Sequence, residues 1–212
     1  MNLKQVSSFL IIAVIAALTL SCNSDDSLEG FVIAGDQSTV DYYFEFQNNE
    51  MTLISDEPFD GGTKTTYADY LDLNNDGFDE LILFYEHFIN QSGNGYYFLR
   101  IEIPSTIQLM GQTVNAFDSF SIYPLLLSSS SNVGVNDPQW TSFNNKTHLF
   151  YYEIHSNTDD VKLNVFNNSS DDLYLPFKIN SSDEQGLGWL HLEPTEDNWR
   201  PRLLDIGYKA LD

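Results

Sequence analysis

Asp72-Leu73-Asn74-Asn75-Asp76-Gly77-Phe78-Asp79-Glu80-Leu81-Ile82-Leu83-Phe84 is a short acidic loop that runs directly into an apolar strand. Oxygen-bearing side chains stand at the first, third and fifth places, glycine at the sixth and a carboxylate at the ninth. At that spacing a tight loop turns its oxygens toward one hard cation. Asp72, Asn74 and Asp76 each offer a side-chain oxygen, and Gly77 permits a sharp turn that a Cβ would hinder. Phe78 can present its backbone carbonyl. Glu80 can bind directly or through water, with Asp79 as the alternative carboxylate. Oxygen ligands on a flexible loop suit Ca2+ better than Mg2+, which demands tighter octahedral geometry, and no Cys/His cluster suggests zinc. An Asx-rich turn without an ion would use the same residues, but its crowded carboxylates would repel one another.

Around this loop the chain alternates between short apolar or period-two runs and turn clusters. The runs are 40–46, 51–54, 65–71, 80–86, 96–103, 120–127, 148–155, 162–166, 173–179, 188–193 and 203–209. They are enriched in Thr, Val, Ile, Tyr and Phe, and few stretches carry a helical period. Gln47-Asn-Asn-Glu50, Gln91-Ser-Gly-Asn-Gly95 and Asn167-Asn-Ser-Ser-Asp-Asp172 punctuate them. The pattern predicts an all-β fold, a single antiparallel β-sandwich of jelly-roll-like form. Ser128 to Pro138 reads as a long exposed loop. The acidic loop occurs once, which argues against a propeller or solenoid.

The length of 212 residues suits one domain with a sizeable core. Nine basic residues against thirty-one acidic ones give a formal charge of -22. Such a surface excludes nucleic acid, whose phosphates require clustered Lys and Arg, and it attracts divalent cations. Cys22 is the only cysteine, so no intrachain disulfide can form.

Lys4 precedes the apolar run 9–20, which is shorter than the roughly twenty residues of a membrane-spanning helix and reads as the core of a signal peptide. Cys22 follows Thr19-Leu20-Ser21, a sequence that resembles a bacterial lipobox, with Thr19 where the pattern prefers Leu. The resemblance implies a signal peptide over 1–21, acylation of Cys22 and a polar tether over 22–30, ahead of a β-sandwich domain over 31–212. Asn23-Ser24-Asp25-Asp26 resembles the acidic export tag of surface lipoproteins in Bacteroidetes-type bacteria. That implies anchorage in the lipid bilayer of the outer membrane through Cys22, facing the cell exterior.

The acidic loop departs from an EF-hand, because Leu83 takes the twelfth place and a strand follows. It resembles the Asp-x-Asn-x-Asp-Gly loops of integrin-type extracellular repeats, which implies Asp72, Asn74, Asp76, the Phe78 carbonyl and Glu80 as calcium ligands. Near the C-terminus stand Leu173-Tyr-Leu-Pro-Phe177, Gly188-Trp189-Leu-His-Leu-Glu193 and Asp205-Ile-Gly-Tyr208. With the Asp72 loop upstream, these resemble a group of uncharacterised secreted bacterial β-domains that carry a calcium loop and a C-terminal Gly-Trp…Asp-x-x-Tyr signature. Pro176, Leu187 and Ile206-Gly207 depart from its pattern. The resemblance implies fold and location and assigns no chemistry. Gly188-Trp189 reads as a close backbone approach beside a large core ring, on a central strand.

His87, His148, His155 and His191 are scattered, no Gly-x-Ser-x-Gly elbow occurs, and no catalytic residue is assigned. Paired carboxylates are the one enzymatic option, with Glu86, Glu102, Glu153 and Glu193 on strands. Tyr96-Tyr97-Phe98 and Phe150-Tyr151-Tyr152 place aromatics on both faces of their strands, one face for the core and one for a sugar platform or ordinary surface. Two expectations follow. The first is a non-catalytic, calcium-stabilised surface lipoprotein serving as an accessory module for an extracellular glycan or protein. The alternative is a surface glycoside hydrolase of sandwich fold.

Overall fold

A computed structural model describes residues 30–47, 50–116, 119–143, 146–155, 158–166, 172–193 and 200–211. The leader, Cys22 and most of the tether lie outside the described residues. The strands are β1 (Phe31–Ile33), β2 (Tyr42–Glu45), β3 (Leu53–Phe59), β4 (Gly62–Leu71), β5 (Leu81–Asn90), β6 (Gly95–Glu102), β7 (Ile107–Ala116), β8 (Ser119–Pro124), β9 (Asn132–Gly134), β10 (Trp140–Thr141), β11 (Lys146–His155), β12 (Thr158–Asn164), β13 (Leu173–Asn180), β14 (Gln185–Glu193) and β15 (Arg202–Ala210). A single 3-10 turn, Gln37–Thr39, interrupts the strands among the described residues.

The fold is the expected all-β, antiparallel sandwich. One sheet has the order β12-β11-β6-β5-β4-β3. The other has the order β10-β7-β13-β14-β15-β2, with β8 paired to β7. The chain crosses between them at β2–β3, β6–β7, β10–β11 and β12–β13. Leu81, Leu83 and Tyr85 of β5 and Leu99 and Ile101 of β6 meet Leu175, Phe177, Leu190, Leu192 and Ile206 of the second sheet in one apolar core. Alternation over 81–86 drives this side: Ile82, Phe84 and Glu86 point away and are half-buried, while Leu81, Leu83 and Tyr85 are fully buried.

The second sheet is covered on its other face as well. Val32, Ala34, Met110, Val133, Tyr174, Leu187 and Trp189 form a second apolar cluster under a small ribbon in which β1 pairs with β9. This explains why Gly186 to Leu192 is buried without interruption, since a strand enclosed on both faces has no polar side to show. Leu190 and Leu192 enter the main core, and Leu187 and Trp189 enter the second cluster. The expectation of a central strand with a close backbone approach is met. A Cβ at Gly188 would strike the Gly207 carbonyl oxygen and the Phe177 ring, and the Trp189 ring lies over Gly207, its register partner.

One reading is corrected. The span Ser128 to Pro138 is not a simple exposed loop. Asn132–Gly134 is β9, and Val133 is fully buried. The Ser, Asn and Gly around it carry the composition of a loop, but Val133 supplies an apolar contact that only the remote β1 and β14 make visible. β7 also escapes the sequence pattern, because Leu109 faces one core and Met110 the other, which erases the period of two.

Candidate metal centre

The acidic loop closes the β4–β5 hairpin, in which Leu71 pairs with Leu81. The Glu80 amide adds one further bond, donating to the Leu71 carbonyl at 2.9 Å. Leu73, fully buried, pins the loop to the core. Two residues take left-handed backbone: Asn75 at φ 64° and Gly77 at φ 90°. Asn tolerates that region and Gly is at ease there, which is why the loop can reverse so tightly.

The bends turn the carboxylates inward. Asp72 Oδ1 accepts from the amides of Asn75 at 2.6 Å and Asp76 at 3.2 Å, and its Oδ2 accepts from Gly77 at 2.8 Å. Asn74 Oδ1 accepts from the Asp76 amide at 3.1 Å, and Asp76 Oδ1 from the Phe78 amide at 2.9 Å. Glu80 Oε2 accepts from the Leu73 amide at 2.7 Å. Asp72, Asp76 and Glu80 thereby bring one carboxylate oxygen each within 4.8 Å of one another. A carboxylate oxygen that accepts one amide keeps a second lone pair for a cation. This all-oxygen donor set fits a hard divalent ion such as calcium.

The remaining loop residues take different places. Asn74 sits beside Asp76, its Nδ2 donating to Asp76 Oδ2 at 3.1 Å. The Phe78 side chain is 75% exposed, so this position contributes to the loop through its backbone. Asp79 is exposed and lies outside the triad. With Glu80, Ile82, Glu102 and Lys146 it lines a shallow groove of about 400 Å³ alongside.

Electrostatics record the crowding. Burial pushes the Glu80 carboxyl up to about 7, and the charges of Asp76, Asp72 and Glu184 add to that, against the Leu73 amide, which favours the ionised form. The Tyr42 phenol, on β2 of the second sheet, is raised by burial and by the Asp72 charge. Reading by spacing located the three carboxylates. It missed Glu184, in the turn between β13 and β14, because no local pattern links residues 110 positions apart.

The strand glutamates are all engaged. Glu86 accepts from Tyr96 Oη at 2.6 Å, and Glu102 pairs with Arg100 at 2.7 Å and Lys146 at 3.0 Å. Glu153 accepts from Tyr151 at 3.0 Å, and Glu193 pairs with Arg202 at 3.0 Å on the other sheet. An Asp–His pair not seen in the sequence joins β14 to β15: His191 Nδ1 lies 2.8 Å from Asp205 Oδ2, and its ring stacks on Tyr174 at 4.2 Å. Burial lowers the pKa of both His87 and His148, with Arg100 adding to the effect at His148.

The aromatic run divides between faces as expected. Phe150 is fully buried in the main core, with Tyr97 and Tyr152 packed beside it. Tyr96, Phe98 and Phe84 stand on the outer face. Tyr96 stacks on Phe98 at 5.7 Å and Phe98 on Phe84 at 6.0 Å, with the Arg100 guanidinium 4.1 Å from the Phe84 centroid. These rings turn their faces toward one another. Trp189 has no exposed surface and serves packing.

No protein-family model matches this chain, and no curated protein or solved structure matches it significantly. No helix of the described residues is long and apolar enough to cross a membrane.

Proposed function

We propose that this chain is a non-catalytic, calcium-stabilised lipoprotein, held on the outer face of a bacterial outer membrane by acylated Cys22. Its sandwich serves as an accessory module for an extracellular glycan or protein. The observation that carries the calcium part is the convergence of Asp72, Asp76 and Glu80 within 4.8 Å on one tight loop. The lipidated address rests on the leader and on Cys22 within the Thr19-Leu20-Ser21-Cys22 sequence. The non-catalytic part is supported by the strand glutamates, each of which is tied to a tyrosine or a cation.

A polysaccharide binding-and-hydrolysis screen, run with calcium and with a chelator, tests the function. Retention without sugar release is expected. Sugar release that disappears on replacing a surface glutamate would overturn the non-catalytic reading. In bacterial cells expressing either form, labelling with a palmitate analogue is expected for the native chain and not for Cys22→Ser. Equal labelling of the two would overturn the anchor.

A further inference from the structure

Glu184 stands between the acidic loop and the second sheet. It ends a tight turn in which its own amide donates to Ser181 Oγ at 2.9 Å and Ser181 donates back to its carbonyl at 3.1 Å. Its two carboxylate oxygens then reach in different directions. Oε2 accepts from Asn74 Nδ2 at 2.6 Å, and Oε1 accepts from Tyr208 Oη at 2.6 Å. Tyr208 is itself buried, stacked parallel to Phe177 at 6.4 Å, and its ring fills the room that Gly186 leaves. The carboxylate is therefore held from behind by a core residue of β15 while it grips the loop in front.

The chemistry of this contact orients Asn74. Glu184 Oε2 accepts here, and the group 2.6 Å from it is the Asn74 amide nitrogen. The opposite orientation would set the Asn74 carbonyl oxygen against the carboxylate. Asn74 Oδ1 is thereby turned into the loop, where it lies 3.1 Å from the Asp76 amide. We propose that Glu184 is a positioning residue for the cation site, holding Asn74 with its oxygen toward the ion. Through it, cation occupancy is linked to the β13–β14 turn and to Tyr208 on the second sheet. This rests on the calcium reading above and extends it: the loop belongs to one sheet, and the ion it holds fastens that loop to the other. Partners behind metal ligands fix ligand orientation and commonly shift affinity by about tenfold or more.

The test is a calcium titration by calorimetry on the native chain, Glu184→Gln, Tyr208→Phe and Asp183→Asn, with amide hydrogen exchange over Ser181 to Gln185 in calcium and in chelator. Asp183 is exposed on the same turn, so its amide variant removes the same charge without touching the contact. Glu184→Gln is expected to weaken calcium binding by about tenfold, and Tyr208→Phe to weaken it although no charge changes. Asp183→Asn is expected to stay within about twofold, the scale of a screened surface charge. Calcium is expected to slow exchange in the turn of the native chain and to leave the turn of Glu184→Gln unaffected. Native protein that binds no calcium would remove the calcium reading itself. Native protein that binds while Glu184→Gln behaves like Asp183→Asn, or while exchange in the turn ignores calcium, would overturn the positioning role alone.

Discussion

Glu80 Oε2 accepts a hydrogen bond from the Leu73 amide at 2.7 Å, tying the exit of the acidic loop to its entry. Leu73 is fully buried, so this bond carries a titrating carboxyl to the edge of the core.

A pH dependence follows. Burial and the neighbouring carboxylates raise the Glu80 carboxyl from its ordinary 4.5 to about 7 in the folded chain. Between those values the folded state holds a proton that the unfolded state releases. The contribution is therefore fully present below about pH 4.5 and is lost as pH rises through about 7. In chelator, the melting temperature of the native chain is expected to fall more steeply between about pH 5 and about pH 7.5 than that of Glu80→Gln. Parallel curves would contradict the assignment.

Gly188 offers a steric prediction. A methyl group there meets a backbone oxygen and the Phe177 ring, neither of which is the free end of a flexible side chain. Gly188→Ala is expected to lower unfolding free energy by about 2 kcal/mol, within the range for overpacked cores. Urea denaturation checks this through a lower midpoint at unchanged slope.

The β1–β9 ribbon is part of the sandwich's stability rather than a decoration. Val133→Ala removes two buried methyl groups and is expected to cost about 2 kcal/mol. Val161→Ala, at a residue that is 51% exposed, is expected to stay within about 0.5 kcal/mol. Equal small effects in urea melts would mean that the ribbon does not seal the second cluster.

What the sequence made legible was whatever repeats locally. β5 was readable because Leu81, Leu83 and Tyr85 face in while Ile82, Phe84 and Glu86 face out. The acidic triad was readable because one nine-residue loop holds all three carboxylates. Gly188-Trp189 was readable as a close approach, though not that Trp189 belongs to a second cluster. That cluster was hidden because a three-residue strand, β9, has no period to detect, and its meaning comes from pairing with β1. Glu184 was hidden for the same kind of reason. Nothing near it in the chain distinguishes it from the adjacent Asp183, and only the folded turn brings it to Asn74 and Tyr208.

In the proposed function, the Asp72–Glu80 loop binds calcium and the ion stabilises the sandwich. Thermal melting in calcium and in chelator, on the native chain and on Asp76→Ala, tests it most directly. At about ten times the dissociation constant, binding is expected to add about 1.4 kcal/mol. The native chain should therefore melt higher in calcium, and Asp76→Ala should melt alike in both. A native melting temperature that is the same in calcium and in chelator would rule out calcium stabilisation of the sandwich.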